Sequence, residues 1–283
     1  MKFHLDTAEI FVPDLEPVEK ALARTTHLCL AAHQDDIEIM AAQPIIECFQ
    51  QKEKWFTGVV VTDGRGSPRN SLYENYTDDE MRLVRFKEQR KAAVVGEFAA
   101  QVMLDIPSKV IKDVSRTEPV EDILKLLRAT RPRYVYTHNL ADKHDTHVGV
   151  ALRVIAALRM LDQSERPERI VGCEVWRALD WMVDSDKVLM DVSNHENLQA
   201  ALLGVFDSQI VGGKRYDLAS MGRRRANATY FESHGVDATT GLSYAMDMTP
   251  LMNDAKMDPS EFAQEFIQRF AVDVKSRIGR MNA

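Results

Sequence analysis

The stretch 27-HLCLAAHQDDIEIM-40 sets an unbroken apolar run of strand length against a histidine and two adjacent aspartates, where a chain usually turns on glycine, serine or asparagine. A continuous run of this kind is the pattern of a strand buried on both faces. Helical spacing from about Glu38 to Gln51 then makes the turn a strand-to-helix loop. Neighbouring carboxylates repel each other unless positive charge lies between them, so Asp35 and Asp36 in one turn call for a cation.

The same unit recurs along the chain. FTGVVVTDG (56–64) precedes the helically spaced EMRLVRFKEQRKAAVVGEF (80–98), AAQVMLDIP (99–107) precedes EPVEDILKLLRAT (118–130), and YVYTH (134–138) precedes a helical pattern from His147 to about Leu161. This alternation predicts an α/β fold, Rossmann-like, with a mostly parallel sheet and helices on both faces. Beyond about residue 165 the pattern loosens. Strands are expected at CEVWRAL (173–179) and KVLMDVS (187–193), helices at about 194–206 and 217–232, and a last helix opened by Pro259 and ending near Gly279. No Gly/Ser/Pro-rich linker divides the chain. Residues 1–24 read as an N-terminal extension, and 25–283 as one domain with a C-terminal elaboration from about 165.

Composition narrows the function classes. The 283 residues hold 36 Lys plus Arg against 43 Asp plus Glu, a net charge of −7, and the one basic tract is Arg223-Arg224-Arg225. That speaks against a nucleic-acid partner. The N-terminus lacks the apolar core of a signal peptide, and no stretch nears the ~18 apolar residues of a membrane span. The expectation is a cytoplasmic protein with a small-molecule substrate and no membrane partner. Cys29, Cys48 and Cys173 are scattered in apolar contexts without CxxC spacing, and read as reduced core residues.

In open α/β sheets ligands bind beyond the carboxyl ends of the strands. Two loops at that edge are rich in metal-type ligands: His33-Gln34-Asp35-Asp36 after the first strand, and His138-Asn139-Leu140-Ala141-Asp142-Lys143-His144-Asp145-Thr146-His147 after the fourth. His33 and Asp36 are three apart, as are His144 and His147, so each pair can lie on one side of a turn. Two histidines plus one carboxylate form a known catalytic zinc set with an open position for water. A bound Zn2+ neutralises one aspartate, while its neighbour, pointing the other way, can take a proton from the activated water.

AAHQDDIE, followed about a hundred residues later by KHDTHVGV, resembles the PIG-L/LmbE-like family of zinc-dependent de-N-acetylases, whose typical motifs are AHPDDE and HPDH. The resemblance spans about residues 25–160, including VTDG and the helix in which Arg85 and Glu88 match an R-x-x-E pattern. It implies that His33, Asp36 and His147 hold zinc, that Asp35 is the general base, and that His144 stabilises the oxyanion and protonates the leaving amine. Arg85 would lie near the substrate, and homo-oligomers are expected. Gln34 stands where the family has proline, Asp145-Thr146 where it has Pro-Asp, and Ser108 where it has an acid, so Asp145 is free for a substrate contact and one sugar-hydroxyl contact is missing.

Arg223, Asn227, Tyr230 and His234 are spaced four, three and four apart, which lines them on one helix face. Arg223 and His234 are the candidates there for an anionic or hydroxyl-rich substrate. Trp176 could stack on a sugar ring or belong to the core. Asp63-Gly64-Arg65-Gly66 lacks the third glycine of a dinucleotide loop and reads as a turn. His4, His27 and His195 stand alone and read as structural or exposed. Three functions follow from these residues: a zinc hydrolase removing an N-acyl group, most simply acetyl, from a small molecule; a zinc hydratase or lyase acting on a small anion; and a metal-containing ligand-binding protein without catalysis.

Overall fold

The computed structural model describes residues 1–282. Its eight strands are β1 (Glu9–Phe11), β2 (His27–Ala31), β3 (Phe56–Thr62), β4 (Ala100–Ile106), β5 (Tyr134–His138), β6 (Arg169–Cys173), β7 (Lys187–Asp191) and β8 (Leu242–Asp247). They form one sheet in the order β1-β4-β3-β2-β5-β6-β8-β7. The five central strands are parallel, and β1, β8 and β7 are antiparallel additions at the edges. Every residue of β2, β3 and β4 is buried, which is why these runs are apolar at consecutive positions rather than at alternate ones.

Twelve helices surround the sheet: α1 (Val18–Ala23), α2 (Asp36–Met40), α3 (Ala42–Cys48), α4 (Asp78–Val95), α5 (Ser108–Lys112), α6 (Glu118–Thr130), α7 (Asp145–Arg159), α8 (Glu196–Gly204), α9 (Asp207–Ile210), α10 (Tyr216–Tyr230), α11 (Thr249–Asn253) and α12 (Pro259–Met281). The period-two alternation of the strands feeds two cores. Leu28, Leu30, Val59, Val102 and Val135 pack with Leu22 of α1, Ile123 and Leu127 of α6, and Val150 and Val154 of α7. Cys29, Ala31, Val60 and Met103 face the other way, toward Ile37, Ile45, Phe86 and Leu202 of α2, α3, α4 and α8. Cys29, Cys48 and Cys173 are buried and unbridged.

Three expectations need correction. The helix expected over 38–51 is two short helices meeting at Ala41. Pro44 has no N–H for the Met40 carbonyl, so an uninterrupted ladder cannot run through this point. The strand expected at CEVWRAL lies earlier, at Arg169–Cys173. The carboxylate of Glu174 accepts from the amides of Leu179 and Tyr244 and from the Asn227 side chain, folding 174–179 back on itself. Helix α10 ends at Tyr230, four residues short of His234.

His27 is a buried structural histidine, with Tyr134 and Tyr136 beside its ring and Thr26 Oγ1 2.8 Å from Nδ1. Burial pushes its pKa down from 6.5 to about 4. The unfolded chain therefore takes up this proton first as the pH falls. Stability from a neutral His27 is complete above about pH 6.5 and is lost going down to about pH 4, by on the order of 3 kcal/mol. Denaturant titrations of wild type and His27→Gln should show their stability difference narrowing across that window; a constant difference contradicts the assignment.

A candidate metal centre at the sheet's switch point

From β2 the chain builds β3 and β4 on one side, then crosses to add β5 and β6 on the other, so β2 and β5 are neighbours whose following loops diverge. Such a switch point opens a crevice at the carboxyl edge. The loop after β2 carries His33, Asp35 and Asp36, and the loop after β5 carries His138 through His147. The first turn is tight: Asp36 Oδ2 accepts the His33 amide at 2.7 Å, and Asp35 is held at φ 95°, a conformation that costs an ordinary L residue strain. Gly64, after β3, has φ 69°, and a Cβ there would run into the Gln34 side chain, so this loop needs glycine to pass.

Three ligand-type atoms converge between the loops. His33 Nδ1 lies 3.2 Å from Asp36 Oδ2 and 3.2 Å from His147 Nε2, and His147 Nε2 lies 3.3 Å from Asp36 Oδ2. Atoms bound to one tetrahedral ion at ~2.0–2.1 Å lie about 3.3–3.4 Å apart, so the donor set and its spacing fit zinc. The other ring nitrogen of His147 faces Asp142 Oδ2 at 3.4 Å, the carboxylate–histidine arrangement that orients metal-ligating imidazoles. Asp142 is fixed in turn by the amides of His144 (3.0 Å) and Trp176 (3.1 Å). His138, Asp142 and His147 also come within ligand range of one another, but His138 Nε2 already accepts the Ala32 amide at 2.8 Å.

The electrostatics of this group favour positive charge. Burial disfavours a charged His147, yet the carboxylates of Asp36 and Asp142 more than reverse it and raise its pKa to about 9. Asp36, although buried, is held well below the usual carboxylate range by His147 and His33. Beside the group lies a cavity of about 600 Å³ lined by His33, Asp35, Asp36, Arg85, His144 and Arg223 among others. Burial lifts Asp35 to about 8, against the pull of the Arg85 guanidinium 3.6 Å away. His144 Nδ1 accepts the Thr146 amide at 3.3 Å, so in the neutral ring the proton sits on Nε2, available to a substrate atom. Burial lowers the pKa of His144.

Of the nine residues singled out in the sequence, the fold brings seven to this place: His33, Asp35, Asp36, Arg85, His144, His147 and Arg223. Arg85 is committed to its own loop, donating to the Gln34 carbonyl and the Ser67 hydroxyl. Its companion Glu88 points elsewhere, accepting from the amide and hydroxyl of Ser208. Asp145 and His234 do not line the cavity. Asp145 is an exposed residue in the first turn of α7, and His234 lies exposed beyond the end of α10. Sequence reasoning gave no part to His138, which stacks on His147 at 3.9 Å, or to Asp142. The signal for Asp142 was its place in the same loop, five residues before His147. Lys112, Lys214 and Tyr216 also line the cavity, and nothing local in the sequence marks them.

Residues 28–158 match the family model PIG-L, GlcNAc-PI de-N-acetylase. Among solved structures the fold is similar to that of the 4-carboxy-2-hydroxymuconate hydratase of Pseudomonas putida, at 12% identity and a TM-score of 0.61 over 79% of this chain and 95% of that one. It is also similar to the N,N′-diacetylchitobiose deacetylase of Pyrococcus horikoshii, at 17% identity and a TM-score of 0.58 over 82% and 88% of the two chains. A conserved protein of Thermus thermophilus aligns at 20% identity and a TM-score of 0.58 over 82% and 98%. No curated protein matches the chain. The matched residues 28–158 carry both ligand-bearing loops, so the similarity to the PIG-L family covers the part of the chain that builds this site.

Proposed function

We propose that the protein is a zinc-dependent hydrolase that removes an N-acyl group, most simply acetyl, from a small substrate bound in the cavity. The observation that carries this reading is the placement of Asp35 and His144, two proton-transfer groups, on the cavity wall beside the His33–Asp36–His147 triangle. Those three residues would hold the ion. A divalent metal supplies Lewis acidity there, polarising a carbonyl and lowering the pKa of water.

The remaining chemistry falls to the chain. Asp35 accepts the proton of the attacking water, and Arg85 beside it favours its ionised form. His144 acts as the imidazolium: its Nε2–H hydrogen-bonds the developing oxyanion and then passes its proton to the nitrogen that leaves, and the proton Asp35 took from water restores the charge. An amide nitrogen departs only when protonated, so a base without an acid would not complete the reaction. Asp142 holds His147 in one tautomer and also fixes the His144 backbone, coupling the two sides of the site.

The test is stoichiometric. The zinc-loaded protein, offered N-acetylated sugars and amino-acid derivatives, should release acetate and primary amine in equal amounts. A second reading, hydration of a carbon–carbon double bond in a small anion, is favoured by the cations lining the cavity. Loss of conjugated-alkene absorbance, with no amine released from any amide, would establish hydration and overturn hydrolysis.

Helix α12 supports the expectation of a homo-oligomer. Only Phe262 and Phe266 are buried, while Ile267, Val274, Ile278 and Met281 are 50%, 39%, 58% and 82% exposed at heptad spacing. Glu261 and Glu265 precede this stripe, and Lys275, Arg277 and Arg280 lie in its second half, so two antiparallel copies would set opposite charges side by side. Val274→Asp should lower the mass measured by light scattering to that of one chain. An unchanged mass would remove this helix from the interface.

A further inference from the structure

Among the described residues the only acids lining the cavity are Asp35 and Asp36, whereas Arg85, Lys112, Lys214, Arg215 and Arg223 all line it. Five cations in one concavity run against a chain whose net charge is −7. Two of them are occupied, Arg85 by Asp35 and Arg215 by Asp217. Lys112, Lys214 and Arg223 form no ion pair among the described residues.

Two of these three stand together. Lys214 Nζ lies 4.8 Å from the centre of the Trp176 indole, and Arg223 donates to the carbonyl of Val175, the preceding residue. Trp176 lies beside His144, with ring centres 6.3 Å apart and planes 26° from parallel. The Trp176 ring therefore lies beside both the proposed proton donor and this pair of cations, neither of which forms an ion pair among the described residues, although the buried Glu174 carboxylate is within Coulombic range of Arg223. Cations lining a concave site without an ion-pair partner are what an anionic ligand requires, and Arg with Lys suits phosphate or carboxylate.

Resting on the hydrolase reading above, we infer that the substrate carries a carboxylate or phosphate on its amine portion, held by Lys214 and Arg223 against Trp176. The side follows from His144, which serves the leaving nitrogen and lies against Trp176. Neutral N-acetyl compounds fit the same cavity but forfeit both charge contacts.

The experiment compares four amines on one ring: glucosamine, its 6-phosphate, its 1-phosphate and 2-amino-2-deoxyglucuronate. Binding to the zinc-loaded protein is read by calorimetry at low salt, for wild type, Lys214→Gln and Arg223→Gln, and kcat/KM is measured for the N-acetylated forms. At least one charged amine should bind about tenfold or more tighter than glucosamine, and each variant should lower that preference about tenfold. Whether phosphate or carboxylate gains more identifies the group. Equal binding of charged and neutral amines overturns the inference, even when the acetylated forms are hydrolysed. A preference unchanged in both variants overturns it as well. Charge-dependent binding that both variants abolish, without amine release from any acetylated form, keeps the anion site and removes the hydrolase reading instead.

Discussion

Replacing Asp35 by asparagine lowers kcat by about 10² to 10⁴ while leaving one metal bound per chain; that range is the usual contribution of a positioned general base. The substitution is conservative in every other respect. Asn has nearly the same shape, tolerates the positive φ of 95° better than most residues, and leaves Asp36, the proposed ligand, untouched. What it removes is the capacity to hold a proton beside the site, together with the carboxylate facing Arg85 at 3.6 Å. The measurements are turnover and metal content on the same preparation. Full activity in Asp35→Asn removes the residue from proton transfer, and metal loss would recast it as part of the donor set.

Replacing His147 by alanine has the opposite signature, with metal content falling first and activity following it to background. His147 is fully buried and stands between two carboxylates, presenting Nε2 to Asp36 and Nδ1 to Asp142. Deleting the ring removes one of three proposed donors and leaves both acids buried without a counter-charge. Breaking a buried ion pair from one side costs about 3–5 kcal/mol, so a lower melting temperature should accompany the lost metal. Asp142→Asn is the milder companion. It keeps all three donors, loosens the orientation of one, and should weaken zinc about 10- to 100-fold. Unchanged zinc affinity in His147→Ala would place the metal elsewhere.

The sheet and the approach of His33, Asp36 and His147 were legible in the sequence for one reason: both depend on local patterns. Runs of consecutive buried residues marked the central strands, and ligand-rich loops directly after β2 and β5 marked the switch point, because strand, loop and helix follow one another in the chain. The cavity wall was not legible in the same way. Trp176 was expected within a strand, yet it lies beyond the strand's end because Glu174 draws in three donors from residues up to 70 positions away. Lys214 reaches the cavity from the C-terminal elaboration by tertiary packing alone, whereas Arg223 was marked by the spacing of its helix face. His234 was placed by extending a helical period past Tyr230, where α10 stops. Strand β8 was missed because six residues in a loosely patterned region carry too little periodicity, and β1, with three, carries less.

Whether His33, Asp36 and His147 hold one ion beside Asp35 is decided by anomalous diffraction at the zinc edge from zinc-loaded crystals. A single peak is expected about 2.0–2.1 Å from His33 Nδ1, Asp36 Oδ2 and His147 Nε2, with its open side toward the cavity. A peak at His138 and Asp142, or none between the two loops, would contradict that assignment.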